Sequence, residues 1–135
     1  MLAFVFILSS ILCFQQVIEQ LLNKSKTEVQ QIMASTFTDY KTNNFGIKPN
    51  DNTLRYYHPK KDVTLLFYFN KQNKCKHIKL IEDIENLNSR IQELNSQYQK
   101  VSDNKWKSTI NNQVFNISIE KEEYNFSVIY QLPND

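Results

Sequence analysis

Few residues of a type that could do chemistry stand close together in this sequence. Cys75 and His77 lie two positions apart, and His58 is the only other histidine. On a β-strand, residues at i and i+2 point to the same face, so this pair could begin a metal site or a nucleophile–base pair. Zinc needs three or four such ligands, and a thiol and an imidazole roughly 6–7 Å apart lie beyond hydrogen-bond reach. We therefore predict no metal, no cofactor and no catalytic residue.

Aromatic residues and lysines offer a different chemistry, which is the binding of another protein. The predicted strands are rich in aromatic residues, most of which must form the core, but exposed aromatic residues anchor protein interfaces. Lysines around the first hairpin could meet an acidic partner or an anionic lipid surface, or could protect strand edges from self-pairing. The expected interaction surface consists of Tyr56, Tyr68, Trp106, Lys60, Lys61, Lys74 and Lys76.

Composition excludes several classes of function. The chain of 135 residues contains one glycine, Gly46, whereas phosphate-binding loops and nucleophile elbows need several. The net charge is +2, and Arg55 and Arg90 are the only arginines. Readers of nucleic acids favour clustered, bidentate arginine. We therefore expect no nucleic-acid partner.

The N-terminus is an uncharged apolar run from Met1 to Phe14, followed by polar residues from Gln15. This run is shorter than the roughly 20 residues that span a bilayer, and it has the length of the apolar region of a secretory signal. We predict a signal peptide over 1–16, one domain over 17–135 and no transmembrane span after processing. A lipid anchor on Cys13 and a retained apolar helix are the alternatives.

Two helices follow from capping and periodicity. Ser25 and Glu28 form a capping-box pattern, which predicts a helix over 26–37. A second helix is predicted over 83–99 from a stripe of apolar residues spaced three and four apart. The residues of this stripe are Ile84, Leu87, Ile91, Leu94 and Tyr98.

Six segments have the composition or the alternation of strands. They are 53–58, 63–69, 75–81, 105–110, 114–119 and 124–132. The expected fold class is α+β, with an antiparallel sheet, helices on one face and the order α-β-β-β-α-β-β-β. A tandem αβββ repeat is one interpretation of this order.

The segment from Ser25 to Val29, followed by Ile32 and Met33, resembles the helix opening of small exported α+β proteins of the SmpA/OmlA and β-lactamase-inhibitor-protein type. Those proteins place helices before an antiparallel sheet, and the inhibitor protein duplicates that unit. The resemblance implies a non-enzymatic protein that binds other proteins. It carries no binding residue over to this chain.

The expected function is that of a small exported binding protein whose partner is another envelope or secreted protein. The protein would then be periplasmic, envelope-associated or extracellular. The alternative is a cone-shaped α+β domain that binds or hydrolyses a small ligand, which a pocket lined by tyrosine, tryptophan and a carboxylate of raised pKa would favour. A third possibility is a cytosolic or membrane-attached structural protein that keeps its N-terminal helix.

Overall fold

The computed structural model describes residues 17–43, 48 and 52–133. Within them the chain forms one antiparallel sheet of eight strands and two α-helices, which confirms the α+β class, although the sheet dominates. The strands are β1 Lys41–Thr42, β2 Thr53–His58, β3 Val63–Phe69, β4 Cys75–Asp83, β5 Gln99–Ser102, β6 Lys105–Ile110, β7 Gln113–Lys121 and β8 Asn125–Gln131.

The first helix begins where the capping pattern places it. A 3-10 helix, Ile18–Leu21, leads into α1, Lys26–Thr36. The Ser25 side chain accepts a hydrogen bond from the Glu28 amide, and the Glu28 carboxylate accepts one from the Ser25 amide. Two of the amides left unpaired at a helix start are thereby satisfied, which confirms the predicted capping box.

The second helix is shorter than its apolar stripe. Asp83 accepts a hydrogen bond from the Glu85 amide and begins a 3-10 turn, Ile84–Asn86, which continues into α2, Leu87–Gln97. All five residues of the predicted stripe contact the core, and Leu94 is buried. The stripe is therefore correct, although its two end residues lie outside the α-helix.

The strands are arranged in the order β1-β2-β3-β4-β8-β7-β6-β5. Each helix is followed by four strands that pair antiparallel with their sequence neighbours, and β4 and β8 pair with each other at the centre. The expected order, with three strands after each helix, is therefore wrong. The additional strands, β1 and β5, are short and fully exposed, so they have none of the alternation that identifies a half-buried strand.

One face of the sheet carries the core. The buried residues of β2, β3, β4, β7 and β8 alternate with less buried ones, and cross-strand pairs such as Phe67–Ile78 and Ile78–Tyr130 place them on the same side. Val29 and Met33 of α1 and the buried residue of α2 join the same cluster. Both helices therefore cover this side of the sheet, which we call the covered face.

Asparagine makes the corners that glycine would make in other proteins. The described residues with positive φ that are not glycine are Asn23, Asp62, Asn73, Asn104, Asn111 and Asn112. Asn111 and Asn112 form the predicted two-residue turn between β6 and β7, since asparagine tolerates the left-handed conformation better than most residues.

The alternation of the last strand predicts that Tyr124 packs with the core residues, but the structure places it outside the core. Its side chain is 75% exposed, whereas Phe126, Val128 and Tyr130 are buried as expected. The reason is the turn before β8, where the Glu122 amide donates to the Asn125 carbonyl at 2.8 Å. The paired strand begins only after Tyr124.

The predicted signal peptide, 1–16, lies outside the described residues. Among those that the structure describes, no helix is long and apolar enough to cross a membrane.

Candidate functional site

The side of the sheet opposite the helices is a candidate binding surface, which we call the open face. Its residues are half-buried or exposed, except Ile129, which is buried. They form three cross-strand rows, Lys41–Tyr57–Thr64–Ile81–Ser127–Glu120, Arg55–Leu66–Lys79–Ile129–Ser118–Lys105 and Thr53–Tyr68–His77–Gln131–Asn116–Lys107.

Apolar side chains occupy the middle of the open face. Leu66 and Ile81 are half-buried, and none of Leu66, Ile81 and Ile129 belongs to the core cluster of the covered face. A solvated face of an antiparallel sheet normally carries polar residues. The open face therefore has an apolar centre that the described part of the chain does not use for its own core.

An aromatic stack borders this centre. The rings of Tyr68 and His77 lie 4.3 Å apart and 20° from parallel, and the Lys79 ammonium lies 6.0 Å from the centre of the tyrosine ring. Partial burial, helped by the charges of Lys79 and Lys76, lowers the pKa of His77 from its ordinary value of 6.5. The imidazole is therefore neutral at pH 7, so the stack is an uncharged aromatic surface beside a cation.

The open face is predominantly cationic. Lys41, Arg55, Lys79, Lys105 and Lys107 lie in its rows, whereas Glu120 is the acidic residue there. At one end, the Tyr57 hydroxyl donates a hydrogen bond of 2.9 Å to the carboxylate of Asp62, which raises the pKa of this tyrosine. The excess of cations gives the open face a positive electrostatic potential.

The structure separates the residues of the predicted interaction surface. Tyr68 lies on the open face, and the four lysines are exposed, Lys60 and Lys61 after β2 and Lys74 and Lys76 beside the start of β4. Tyr56 and Trp106 are buried, so the prediction that these two residues are exposed is wrong. Tyr56 is paired with Leu65 on the covered face, and the Trp106 indole donates a hydrogen bond of 2.9 Å to Asn95 of α2.

Cys75 and His77 do not share a face, contrary to the prediction from their spacing. The pairing of β3 with β4 shifts between Tyr68 and Phe69, so that Phe69 lies opposite Cys75 and Tyr68 opposite His77. A bulge of this kind reverses the alternation. The Cys75 thiol is consequently buried, which raises its pKa to about 12, and no cluster of three or more potential metal ligands occurs among residues 17–43, 48 and 52–133.

A second candidate site is a cleft of about 670 Å³ between the N-terminal 3-10 helix, the end of α2 and the covered face. We call it the Glu19 cleft. Its lining includes Ile18, Glu19, Arg90, Tyr98 and Tyr130. The Tyr98 hydroxyl donates a hydrogen bond of 3.0 Å to Glu19 Oε2, whereas Oε1 is buried without a hydrogen bond from any described residue.

Burial raises the pKa values of the carboxyl group and of the two tyrosines in the cleft. Desolvation raises the pKa of Glu19, only partly offset by its own amide, Tyr98 and Ser108. Desolvation likewise raises the pKa of the tyrosines Tyr98 and Tyr130, so both stay protonated at neutral pH. Burial therefore makes the ionised form of Glu19 less favourable than that of an exposed glutamate.

The raised pKa of Glu19 predicts a pH-dependent effect of the substitution Glu19→Gln. A carboxyl group whose pKa is raised on folding stabilises the folded state at low pH, and this stabilisation is lost as the pH rises above 4.5 through the folded pKa. The amide does not ionise, so we expect Glu19→Gln to match the wild type at pH 4 and to exceed its free energy of unfolding by on the order of 1 kcal/mol at pH 7. Urea unfolding at both pH values measures the difference.

The control for this prediction is Glu123→Gln, which removes one charge at an exposed position of the turn before β8. We expect it to keep the pH profile of the wild type. The prediction would be contradicted if the difference in free energy of unfolding between Glu19→Gln and the wild type were no larger at pH 7 than at pH 4.

Sequence reasoning missed most of the open face and the carboxyl group of the cleft. The alternation of buried residues in β2 could have placed Arg55 and Tyr57 together, because Leu54, Tyr56 and His58 fill the opposite side. Glu19 gives no such signal, since it stands in a short mixed segment beside the apolar run.

The resemblance to exported α+β binding proteins stays a prediction. Neither a protein-family model, nor a curated protein, nor a solved structure matches the chain.

Proposed function

We propose that this chain is a small, non-enzymatic binding protein that docks on an acidic protein through its open face. The observation that supports this most directly is the Tyr68–His77 stack, which lies beside the apolar centre of the open face and among cations. Aromatic anchors surrounded by polar residues are typical of the energetic centres of protein interfaces.

The charges support an acidic protein as the partner. Electrostatic complementarity steers two proteins together and excludes partners of the wrong sign. The flanking Lys79, Lys105 and Lys107 would meet carboxylates, while Leu66 and Ile81 would lie under an apolar part of the partner. A sheet face that combines both features suits a protein surface better than a bare phosphate.

We propose further that the protein works after export, as the apolar run at its N-terminus indicates.

A duplicated unit of one helix and four strands is also part of the proposal, because both halves have this order and their last strands meet at the centre of the sheet. Each unit would then supply half of the open face.

The proposal predicts that a single substitution on the open face abolishes the binding of a specific partner. Tagged wild-type protein is used to capture partners from the envelope fraction and the medium of its native host, beside Tyr68→Ala and Lys79→Glu. We expect one acidic protein to be captured by the wild type and lost, by tenfold or more in affinity, with either variant. Isothermal titration calorimetry with the purified partner gives the affinities.

Matched controls lie elsewhere on the surface. Tyr124→Ala removes an exposed tyrosine from the turn before β8, and Lys26→Glu reverses a charge on α1. Both variants should keep the partner. Equal loss in all four variants, no change in any of them, or equally tight binding of the wild type to vesicles of anionic lipid would overturn a protein partner for the open face.

The Glu19 cleft supports a second candidate function, the binding of a small molecule. Its volume lies within the range of ligand pockets, and Tyr98 and Ser108 contact one carboxyl group whose pKa is raised by burial. We propose binding rather than hydrolysis, because hydrolysis by carboxyl groups uses a pair of them and Glu19 is the single acidic residue among the described residues that line the cleft.

A further inference from the structure

The Glu19 cleft has walls of two kinds. Apolar and aromatic side chains line about half of it, from Val17, Ile18, Leu80, Ile110, Tyr98 and Tyr130. Polar groups come from Glu19 and Ser108 on one side and from Arg90 and the end of α2 on the other. Such a mixture holds the apolar body of a ligand and fixes one polar end of it.

The polar end of the cleft has an acceptor without a donor. Glu19 is fully buried, and only one of its carboxyl oxygens accepts a hydrogen bond of ordinary geometry, from Tyr98. The other oxygen, Oε1, has no hydrogen bond of ordinary geometry, although the Ser108 hydroxyl and the Glu19 amide lie near enough to help stabilise the carboxylate. A buried acceptor without a donor is unfavourable, so the site is stabilised by any group that brings a donor to it.

The cation of the cleft does not serve as that donor. The Arg90 guanidinium donates two hydrogen bonds to Glu82, one of them from Nε at 2.8 Å, and a third of 2.7 Å to Glu93. Glu19 and Arg90 are the charged residues in the described lining of the cleft, and Arg90 is already paired with Glu82 and Glu93 outside it, so Glu19 is the carboxyl group left without a counter-ion. This balance repels an anionic ligand and favours a cationic one.

We infer that the Glu19 cleft binds a small primary amine with an apolar or aromatic body, whose ammonium group donates to Glu19 Oε1. The inference rests on the second function proposed above and specifies its ligand class. The apolar walls take the body of the ligand, and the ammonium supplies both the missing donor and the missing positive charge. Because Glu19 has no solvent contact in the free protein, the ammonium reaches it by displacing side chains of the wall.

Three probes that share a phenylethyl body test the inference, namely 2-phenylethylamine, 2-phenylethanol and 3-phenylpropionate. Their dissociation constants are measured by calorimetry and by amide chemical shifts at pH 7. We expect the amine to bind at least tenfold more tightly than the alcohol, and the carboxylate to bind most weakly. Glu19→Gln should remove the preference for the amine and leave the affinity for the alcohol within about twofold.

Two further variants keep the test decisive. Ile110→Trp adds bulk at the edge of the cleft and should weaken all three probes, whereas Glu123→Gln should retain the preference of the wild type. Equal affinity for amine and alcohol, or an amine preference that survives Glu19→Gln, would overturn the ligand class but keep a binding cleft. Absence of binding by all three probes at 10 mM, about the weakest affinity that such small ligands reach in a pocket, would overturn the second function as well.

Discussion

Replacing Arg90 with methionine is expected to lower the free energy of unfolding by about 3–5 kcal/mol. Arg90 lies on α2, and its guanidinium contacts Glu82, which is 6% exposed near the end of β4. Methionine keeps much of the apolar stem but removes the charge. The Glu82 carboxylate is then left buried without its counter-ion, and a buried charge without a partner is among the most costly defects in a fold.

The measurement is urea unfolding of the variant beside Lys100→Met. Lys100 forms an exposed ion pair of 3.8 Å with Asp103, and its removal should cost less than about 1 kcal/mol. The double variant Arg90→Met and Glu82→Met should recover most of the loss, because two apolar side chains need no counter-ion. A loss below 1 kcal/mol in Arg90→Met would mean that water reaches Glu82 and solvates it.

Periodicity and capping made most of the fold predictable. The serine and glutamate of the capping box define the start of α1, and the apolar stripe identifies α2, because both signals are local in sequence. The strands β3, β7 and β8 bury every second residue over most of their length, so a period of two identifies them as well.

The remaining parts of the fold depend on contacts between distant segments. The two-residue strand β1 has no pattern of its own and exists because its residues pair with Tyr56 and Tyr57 of β2. The bulge opposite Phe69 depends on the register of two strands, which no single segment encodes. For the same reason the separation of Cys75 from His77 could not be foreseen.

The open face was only partly predictable. In β3 every residue but Thr64 is apolar or aromatic, so its sequence does not tell which side faces the helices. The sequence predicts an exposed face for both tyrosines, but Tyr68 is half-buried on the open face and Tyr56 is buried on the covered face, because one tyrosine in a strand gives no direction without its neighbours. The Glu19 cleft is formed by residues up to 113 positions apart, from Val17 to Tyr130, and this proximity exists only in the fold.

Trp106 is the residue for which the predicted surface position and the observed core position differ most. As a surface anchor it would be dispensable for folding, whereas the structure buries it to 2% exposure between β6 and α2. We therefore expect Trp106→Ala to lower the free energy of unfolding by about 3–5 kcal/mol, as the loss of a large buried aromatic side chain does. Trp106→Phe, which keeps most of the volume but loses the hydrogen bond to Asn95, should cost roughly 1–2 kcal/mol.

Fluorescence gives an independent readout, because Trp106 is the one tryptophan of the chain. A buried indole emits at shorter wavelength than an exposed one and resists quenching by iodide, and both properties should be lost on unfolding in urea. The exposed tyrosine variant Tyr124→Ala should change neither the emission nor the stability by more than about 0.5 kcal/mol. Emission of the native protein at the wavelength of free tryptophan, together with a stable Trp106→Ala variant, would mean that β6 faces the other way. The covered face and the open face would then exchange residues at that edge of the sheet, and Lys105 and Lys107 would no longer belong to the surface proposed to bind the partner.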